Sequence, residues 1–94
     1  MIVVRYTHKA KSGHKDELIA LLKDWLKIRN RVGRVFTIRD DWDTVCYEAE
    51  YATEEDLQKS MDNFDPNHPD YAEKFKRFLE IRGSNTIREV LIVH

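Results

Sequence analysis

The chain has 94 residues, of which 41% are hydrophobic and 35% are charged. That length allows one domain, over residues 1–94, and the apolar fraction excludes an intrinsically disordered chain. The net charge of −1, from 16 basic and 17 acidic residues, argues against a general nucleic-acid-binding protein. The single cysteine, Cys46, excludes an intramolecular disulfide framework. So small a core therefore needs good packing, a metal or a partner subunit.

The sequence shows no membrane or export signal. No stretch approaches the roughly 18 apolar residues of a membrane span, and the N-terminus is charged by Arg5 and lacks a cleavage site. We therefore expect a cytoplasmic protein that does not bind a membrane. Four basic residues lie at the end of the first predicted helix, where cations complement a helix C-terminus, and we favour this role over RNA binding. They are Lys27, Arg29, Arg31 and Arg34.

Hydrophobic periodicity predicts the elements of the first half. Residues 2–8 alternate with period two, which predicts a strand. One face of this strand consists of Ile2, Val4, Tyr6 and His8. Residues 14–30 carry apolar side chains at helical spacing, with Ser12 or Gly13 near the N-cap. The apolar stripe of this helix is Leu18, Leu21, Leu22, Trp25 and Ile28. Residues 34–39 and 44–51 predict a hairpin across an acidic turn at residues 40–43.

The second half predicts a broken helix and a last strand. Thr53 has the character of an N-cap, and two prolines then interrupt the helix. Asn67 or His68 can cap a restart at Pro69, and Gly83 suits the C′ position after the helix. Residues 86–93 predict the final strand.

The order β-α-β-β-α-β is that of an α+β, ferredoxin-like fold. We expect an antiparallel four-stranded sheet with two helices on one face. By strand parity, the helix-facing side receives Phe36 and Ile38 as well as Val45, Tyr47, Ala49 and Tyr51. The open face then receives Val3, Arg5, Thr7, Val35, Thr37, Cys46, Glu48 and Glu50. The fourth strand is apolar on both sides, so its facing is not assigned.

A sheet with apolar residues on both faces usually needs cover on both. We therefore expect a homodimer whose open sheet faces meet, since twofold symmetry is the commonest closed arrangement. The partner expected for this chain is a second copy of itself.

Four segments carry a resemblance to a known family: the opening strand, residues 11–18 leading into the first helix, residues 47–57 leading into the second, and residues 68–75. They resemble the dimeric α+β barrel superfamily, which includes antibiotic-biosynthesis monooxygenases, heme-degrading proteins and NIPSNAP-like domains. The resemblance implies a dimeric α/β barrel with a cavity between sheet and helices or between sheets. In the heme-degrading branch, an asparagine of the first strand pairs with a tryptophan and a histidine of the second helix. The first strand has no asparagine here and residues 54–82 contain no tryptophan, which argues against heme.

The function that the resemblance implies is that of a cofactor-independent, monooxygenase-like enzyme. Its substrate would be a hydrophobic aromatic or quinone-like compound bound in the barrel cavity, with no cofactor. The alternative is a non-catalytic ligand-binding or homodimeric assembly module of the same fold. A titratable group with a perturbed pKa in the cavity would favour the enzyme, and a wall of Val, Ile and Leu alone would favour the module.

Four residues are candidates for catalysis. Arg5, Glu48 and Glu50 share one sheet face on neighbouring strands. Arg5 could hold an anionic group while burial raises the pKa of a carboxyl group, although an ion pair at the dimer interface is the favoured alternative. His68 flanks the helix break, where it could carry protons if the break opens a pocket. A cap or an exposed loop position is the commoner role for such a histidine.

A weaker hypothesis concerns a metal. His8 and His14 could approach Asp40, Asp41 and Asp43 at one end of the sheet, and such ligands suit zinc or iron. Their spacing matches no established ligand motif, and nearby lysines compete for the carboxylates. We therefore favour a salt-bridged loop end, and we read Cys46 as a small buried residue.

Overall fold

The computed structural model describes residues 1–94, apart from the side chains of residues 84 and 85. Four strands and three helices follow one another along the chain. They are β1 (Ile2–Ala10), α1 (Lys15–Ile28), β2 (Gly33–Ile38), β3 (Asp41–Tyr51), α2 (Glu54–Asp62), α3 (Ala72–Ile81) and β4 (Arg82–Ile92). None of the described helices has the length and apolar character to cross a membrane.

The strands form one antiparallel sheet in the order β2-β3-β1-β4. The even-numbered residues of β1 and the odd-numbered residues of β3 face the helices, because Val4 pairs with Ala49 and both are buried in the core. The predicted α+β, ferredoxin-like fold is confirmed, with the second helix divided into α2 and α3.

The core lies between the sheet and α1. Leu18, Leu22 and Leu26 recur at i, i+4 and i+8, so one stripe of the helix is buried. They pack on β3 at Val45, Tyr47 and Ala49. A second, smaller cluster joins Ile2, Val4 and Leu57 under α2.

The helix ends differ in how well their caps were predicted. Thr53 is the N-cap of α2, and its hydroxyl accepts a hydrogen bond from the Asp56 N–H at 3.1 Å, as predicted. The N-cap of α1 is His14, just beyond the predicted Ser12 or Gly13, and Gly13 makes a turn at φ +80°. A glycine suits that turn because left-handed backbone is strained for other residues.

The break between α2 and α3 extends further than predicted. α3 begins at Ala72, one turn after Pro69. The N-cap is Tyr71, with no side-chain capping hydrogen bond, so the predicted cap at Asn67 or His68 is wrong. The Nδ1 of His68 instead accepts a hydrogen bond from the Asp70 N–H at 3.1 Å, within the turn that precedes α3.

The predicted facing of β2 is wrong. Val35 pairs with Tyr47 and packs on the core, whereas Phe36 pairs with Cys46 on the open face. Thr37 pairs with Val45 on the helix-facing side, and the register shifts before Ile38. The strand has apolar residues in both parities, so its pattern does not reveal the facing. The turn that sets its register lies at residues 39–40, ahead of the predicted 40–43.

The predicted C′ role of Gly83 is also wrong. β4 begins at Arg82, directly after α3, and Gly83 lies within the strand. An added Cβ there would lie 2.7 Å from the carbonyl oxygen of Lys9, so close strand approach explains the glycine. Pairing of Thr86 with His8 places Thr86 on the helix-facing side, and pairing with Thr7 places Ile87 on the open face.

Candidate functional site

A cavity of about 380 Å³ lies between the sheet and the helices. This volume lies within the usual range of small-molecule sites, roughly 300–1,000 Å³. Its rings come from both layers: Tyr6, Tyr47 and Tyr51 from the sheet, and Trp25, Phe64, Phe75 and Phe78 from the helical layer. A wider groove of about 770 Å³ beside β2 is open to solvent and is lined by the residues of 23–35 that face it, without an aromatic or histidine side chain.

Rings of α1 and α3 meet rings of the connection between α2 and α3. Trp25 projects from α1 towards α3 and meets the ring of Tyr71 edge-on, with centroids 5.0 Å apart. Phe64 and Phe75 complete the group at 5.9 and 6.0 Å from Trp25. These rings give the cavity an apolar, aromatic wall, which suits an aromatic compound.

His8 lies in the wall of this cavity and is only 3% exposed. Its Nδ1 is 3.2 Å from the hydroxyl oxygen of Thr86. The ring stacks on Tyr6 at 6.0 Å and meets Phe78 edge-on at 5.0 Å. Burial lowers the pKa of His8 to about 4, with a further contribution from the charge of Arg82. The imidazole is therefore neutral at pH 7.

The structure does not bring His8 and His14 together as metal ligands. His14 lies outside the cavity, with its Nδ1 3.3 Å from a carboxylate oxygen of Glu17. At the loop end, Lys9 binds Asp41 at 2.7 Å and Asp43 at 3.4 Å, which agrees with the salt-bridged alternative. Among the residues that the structure describes, no group of three His, Cys, Asp or Glu residues could hold a metal ion. The sequence did contain a signal for the position of His8 in the cavity wall, because His8 and Tyr6 share the helix-facing side of β1.

The charged residues of the cavity wall are all basic. They are Arg29, Lys74 and Arg82, and the described lining contains no Asp or Glu. Sequence reasoning missed this cationic lining, because the three residues come from the C-cap of α1, from α3 and from β4, and share no local pattern.

On the opposite side of the sheet, Glu48 lies between two arginines. Its carboxylate accepts from Arg5 Nε and from Arg34 Nε, each at 2.8 Å. Glu48 is only 7% exposed, and burial by itself raises the pKa of its carboxyl group. The hydrogen bonds from Arg34 and Arg5 outweigh that effect and hold the pKa below its ordinary value. The hypothesis of a raised carboxyl pKa is therefore wrong for Glu48, and the carboxylate forms ion pairs instead.

Glu50 and His68 take no part in that arrangement. Glu50 is half-buried on the same face, but within the described part of the chain it forms no ion pair with Arg5. The second partner of Glu48 is Arg34, which sequence reasoning placed at a helix end. His68 stacks on Tyr71 at 5.1 Å and does not line the cavity.

Solved structures of the same fold belong to the groups that the sequence resembles. A NIPSNAP domain protein from Burkholderia xenovorans superposes with a TM-score of 0.78 over 100% of this chain and 95% of that chain, at 15% identity. The cofactor-independent oxygenase SnoaB from Streptomyces nogalater gives 0.74 over 98% and 91%, at 7% identity. An antibiotic biosynthesis monooxygenase gives 0.70 over 100% and 99%, at 10% identity. At these identities the similarity confirms the predicted fold alone.

No protein-family model matches the chain, and no curated protein matches its sequence.

Proposed function

We propose that this chain is a small-molecule enzyme of the cofactor-independent monooxygenase type. Its substrate is a hydrophobic aromatic or quinone-like compound that binds in the cavity between the sheet and the helices. The buried, neutral imidazole of His8 carries the proposal, because it is a titratable group with a strongly lowered pKa among aromatic rings. The shared fold of SnoaB, a cofactor-independent oxygenase, supports the reaction type.

His8 is the candidate general base. In the tautomer that this role requires, Nδ1–H donates to the Thr86 hydroxyl oxygen and the Nε2 lone pair takes a proton from the substrate. Loss of a proton from an acidic aromatic compound leaves an electron-rich anion that O₂ can oxidise. With anthrone, the ring methylene becomes the second carbonyl of anthraquinone, and the other oxygen atom leaves as water.

The test is anthraquinone formation from anthrone in air-saturated buffer, with heat-denatured protein as the blank. We expect the native chain to exceed autoxidation and His8→Gln to lower that excess by about 100-fold or more, a loss typical of a removed general base. The matched control is His14→Gln, which removes a histidine outside the cavity and should leave the rate unchanged. Equal rates for His8→Gln and the native chain would refute the role of His8.

The alternative function is that of a non-catalytic binding module of the same fold. Anthraquinone that binds beside Trp25 without any turnover of anthrone would favour this alternative. The cavity supports both functions, but His8 favours the enzyme, because a purely structural cavity has no need of a buried titratable group.

We further propose that the chain works as a homodimer joined through the open sheet faces. Ile87 on β4 is 58% exposed on this face, which also carries the half-buried side chains of Leu91 on β4 and of Phe36 on the opposite edge strand β2. Glu48 is already neutralised by Arg5 and Arg34, so a second copy can cover it without burying an unpaired charge. An exposed apolar strip with internally compensated charge suits an isologous twofold contact.

A further inference from the structure

The cavity wall carries an excess of positive charge, although the chain as a whole is nearly neutral. The chain has 16 basic and 17 acidic residues, yet the described wall of the cavity carries three cations and no carboxylate. Arg82 and Arg29 lie towards opposite ends of the cavity. Arg82 pairs with Ala10 at the end of β1, whereas Arg29 follows the C-terminal end of α1. The wall therefore offers positive charge to whatever enters it.

Two of the three cations are already engaged. Lys74 forms an ion pair with Asp24 at 3.2 Å. Arg29 donates to the hydroxyl and carbonyl oxygens of Ser60 at 2.7 and 2.8 Å, which ties α1 to α2. Both side chains have structural partners, so neither needs a ligand to satisfy it.

Arg82 differs from the other two. Its guanidinium lies over the ring of Phe78, 5.3 Å from the centroid, and forms no ion pair with any described residue. The register with Ala10 places it on the helix-facing side of the sheet, near the buried His8. A partly buried guanidinium beside aromatic rings is a good partner for a planar carboxylate.

We propose that the ligand of the cavity is an aromatic carboxylate whose carboxylate group binds Arg82 while its ring system lies among the aromatic side chains. This inference rests on the proposed function in one respect, namely that the cavity is the ligand site. Arg82 is then a specificity-determining residue that places the ring of the ligand next to His8.

The test compares two probes of equal shape, 2-naphthoate and its neutral amide 2-naphthamide, by NMR titration of the full chain at pH 7.5. The indole N–H of Trp25 reports on the cavity, and that of the exposed Trp42 reports on non-specific contact. We expect 2-naphthoate to shift Trp25 and to bind roughly 10- to 100-fold more tightly than 2-naphthamide.

Variants locate the charge that gives this preference. Arg82→Gln should abolish the preference for 2-naphthoate and leave 2-naphthamide unchanged, while Arg82→Lys should restore most of it. The matched control is Lys76→Gln, an exposed cation on α3 that does not line the cavity, and it should behave as the native chain does.

Equal affinities for the two probes would overturn the inference, as would an Arg82→Gln variant that weakens both probes alike. A failure of both probes to shift Trp25 would also overturn it. The two proposals fail separately. A preference for 2-naphthoate with no anthrone turnover overturns the enzyme and leaves Arg82 as an anion-binding residue. Turnover of anthrone without that preference overturns only the inference about Arg82.

Discussion

The Nδ1 of His8 lies 3.2 Å from the hydroxyl oxygen of Thr86, on a neighbouring strand of the same sheet. This contact fixes the orientation of a histidine that is otherwise surrounded by Tyr6, Phe78 and the charged Arg82. No carboxylate is among these described neighbours, so in the free chain nothing there stabilises the imidazolium form, whereas in the proposed reaction the substrate anion would pair with it. The chain consequently holds a neutral histidine where its proposed substrate binds.

The first prediction is a pH dependence of stability that originates at His8. Its pKa falls from 6.5 in the unfolded chain to about 4 in the folded chain. Between these values the unfolded chain binds more protons, so stability is full above about pH 6.5 and is lost as the pH falls towards 4. The loss is at most about 3 kcal/mol.

Urea unfolding at intervals from pH 4.5 to 7.5 measures this effect, with His8→Gln as the comparison. The native chain should lose stability relative to His8→Gln as the pH is lowered. Carboxyl groups with lowered pKa, such as Glu17 at about 2, lose their contribution below this window. Parallel curves for the two proteins would contradict the buried, neutral state of His8.

The second prediction concerns the carboxylate between two arginines. Glu48→Gln should destabilise the chain by about 1–3 kcal/mol at pH 7, because it leaves the charges of Arg5 and Arg34 without their shared partner. Arg34→Gln should cost less, since the Arg34 side chain is largely exposed and Arg5 still pairs with Glu48. Equal losses in chemical denaturation would show that Glu48 is not the centre of this cluster.

The third prediction tests the homodimer. Ile87→Glu places a charge on the open face and should convert a dimer at tens of micromolar into a monomer, as measured by sedimentation. Leu79→Glu is the matched control, because Leu79 is an exposed apolar residue of α3 on the other side of the molecule. A native chain that sediments as a monomer at micromolar concentration would rule out the proposed interface.

The fourth prediction separates two roles of glycine. Gly33→Ala should cost more than about 2 kcal/mol, because its Cβ would overlap the carbonyl oxygen of Glu48, which a sheet cannot move aside. Gly13→Ala meets no atom within 4 Å, and its cost of about 1 kcal/mol comes only from the φ of +80°. Thermal or urea unfolding should rank Gly33→Ala as the worse variant, and the reverse order would contradict the close approach.

The elements and their order could be predicted from the sequence because they depend on neighbours a few residues away. Leu18, Leu22 and Leu26 lie on one side of α1 through helical periodicity alone, and Thr53 caps α2 through a bond to a residue three positions on. The alternation of β1 and β3 likewise placed Arg5 and Glu48 together on the open face.

The candidate site needed the tertiary structure because it depends on register and on residues far apart in the chain. His8 and Thr86 are 78 positions apart, and only the pairing of β1 with β4 brings them together. The facing of β2 depends on the position of the turn between β2 and β3, because a shift of one residue moves every side chain of a strand to the other face. The contact of Arg34 with Glu48 depends on that facing.

By itself, the sequence determined that a short chain without a disulfide framework forms a split βαβ sheet with one open face, since local periodicity and capping suffice for that. Only the tertiary structure decided that His8 is a buried neutral group in an aromatic cavity and that Arg82 lies near it. Burial and charge at a site are properties of neighbours that the chain order does not record.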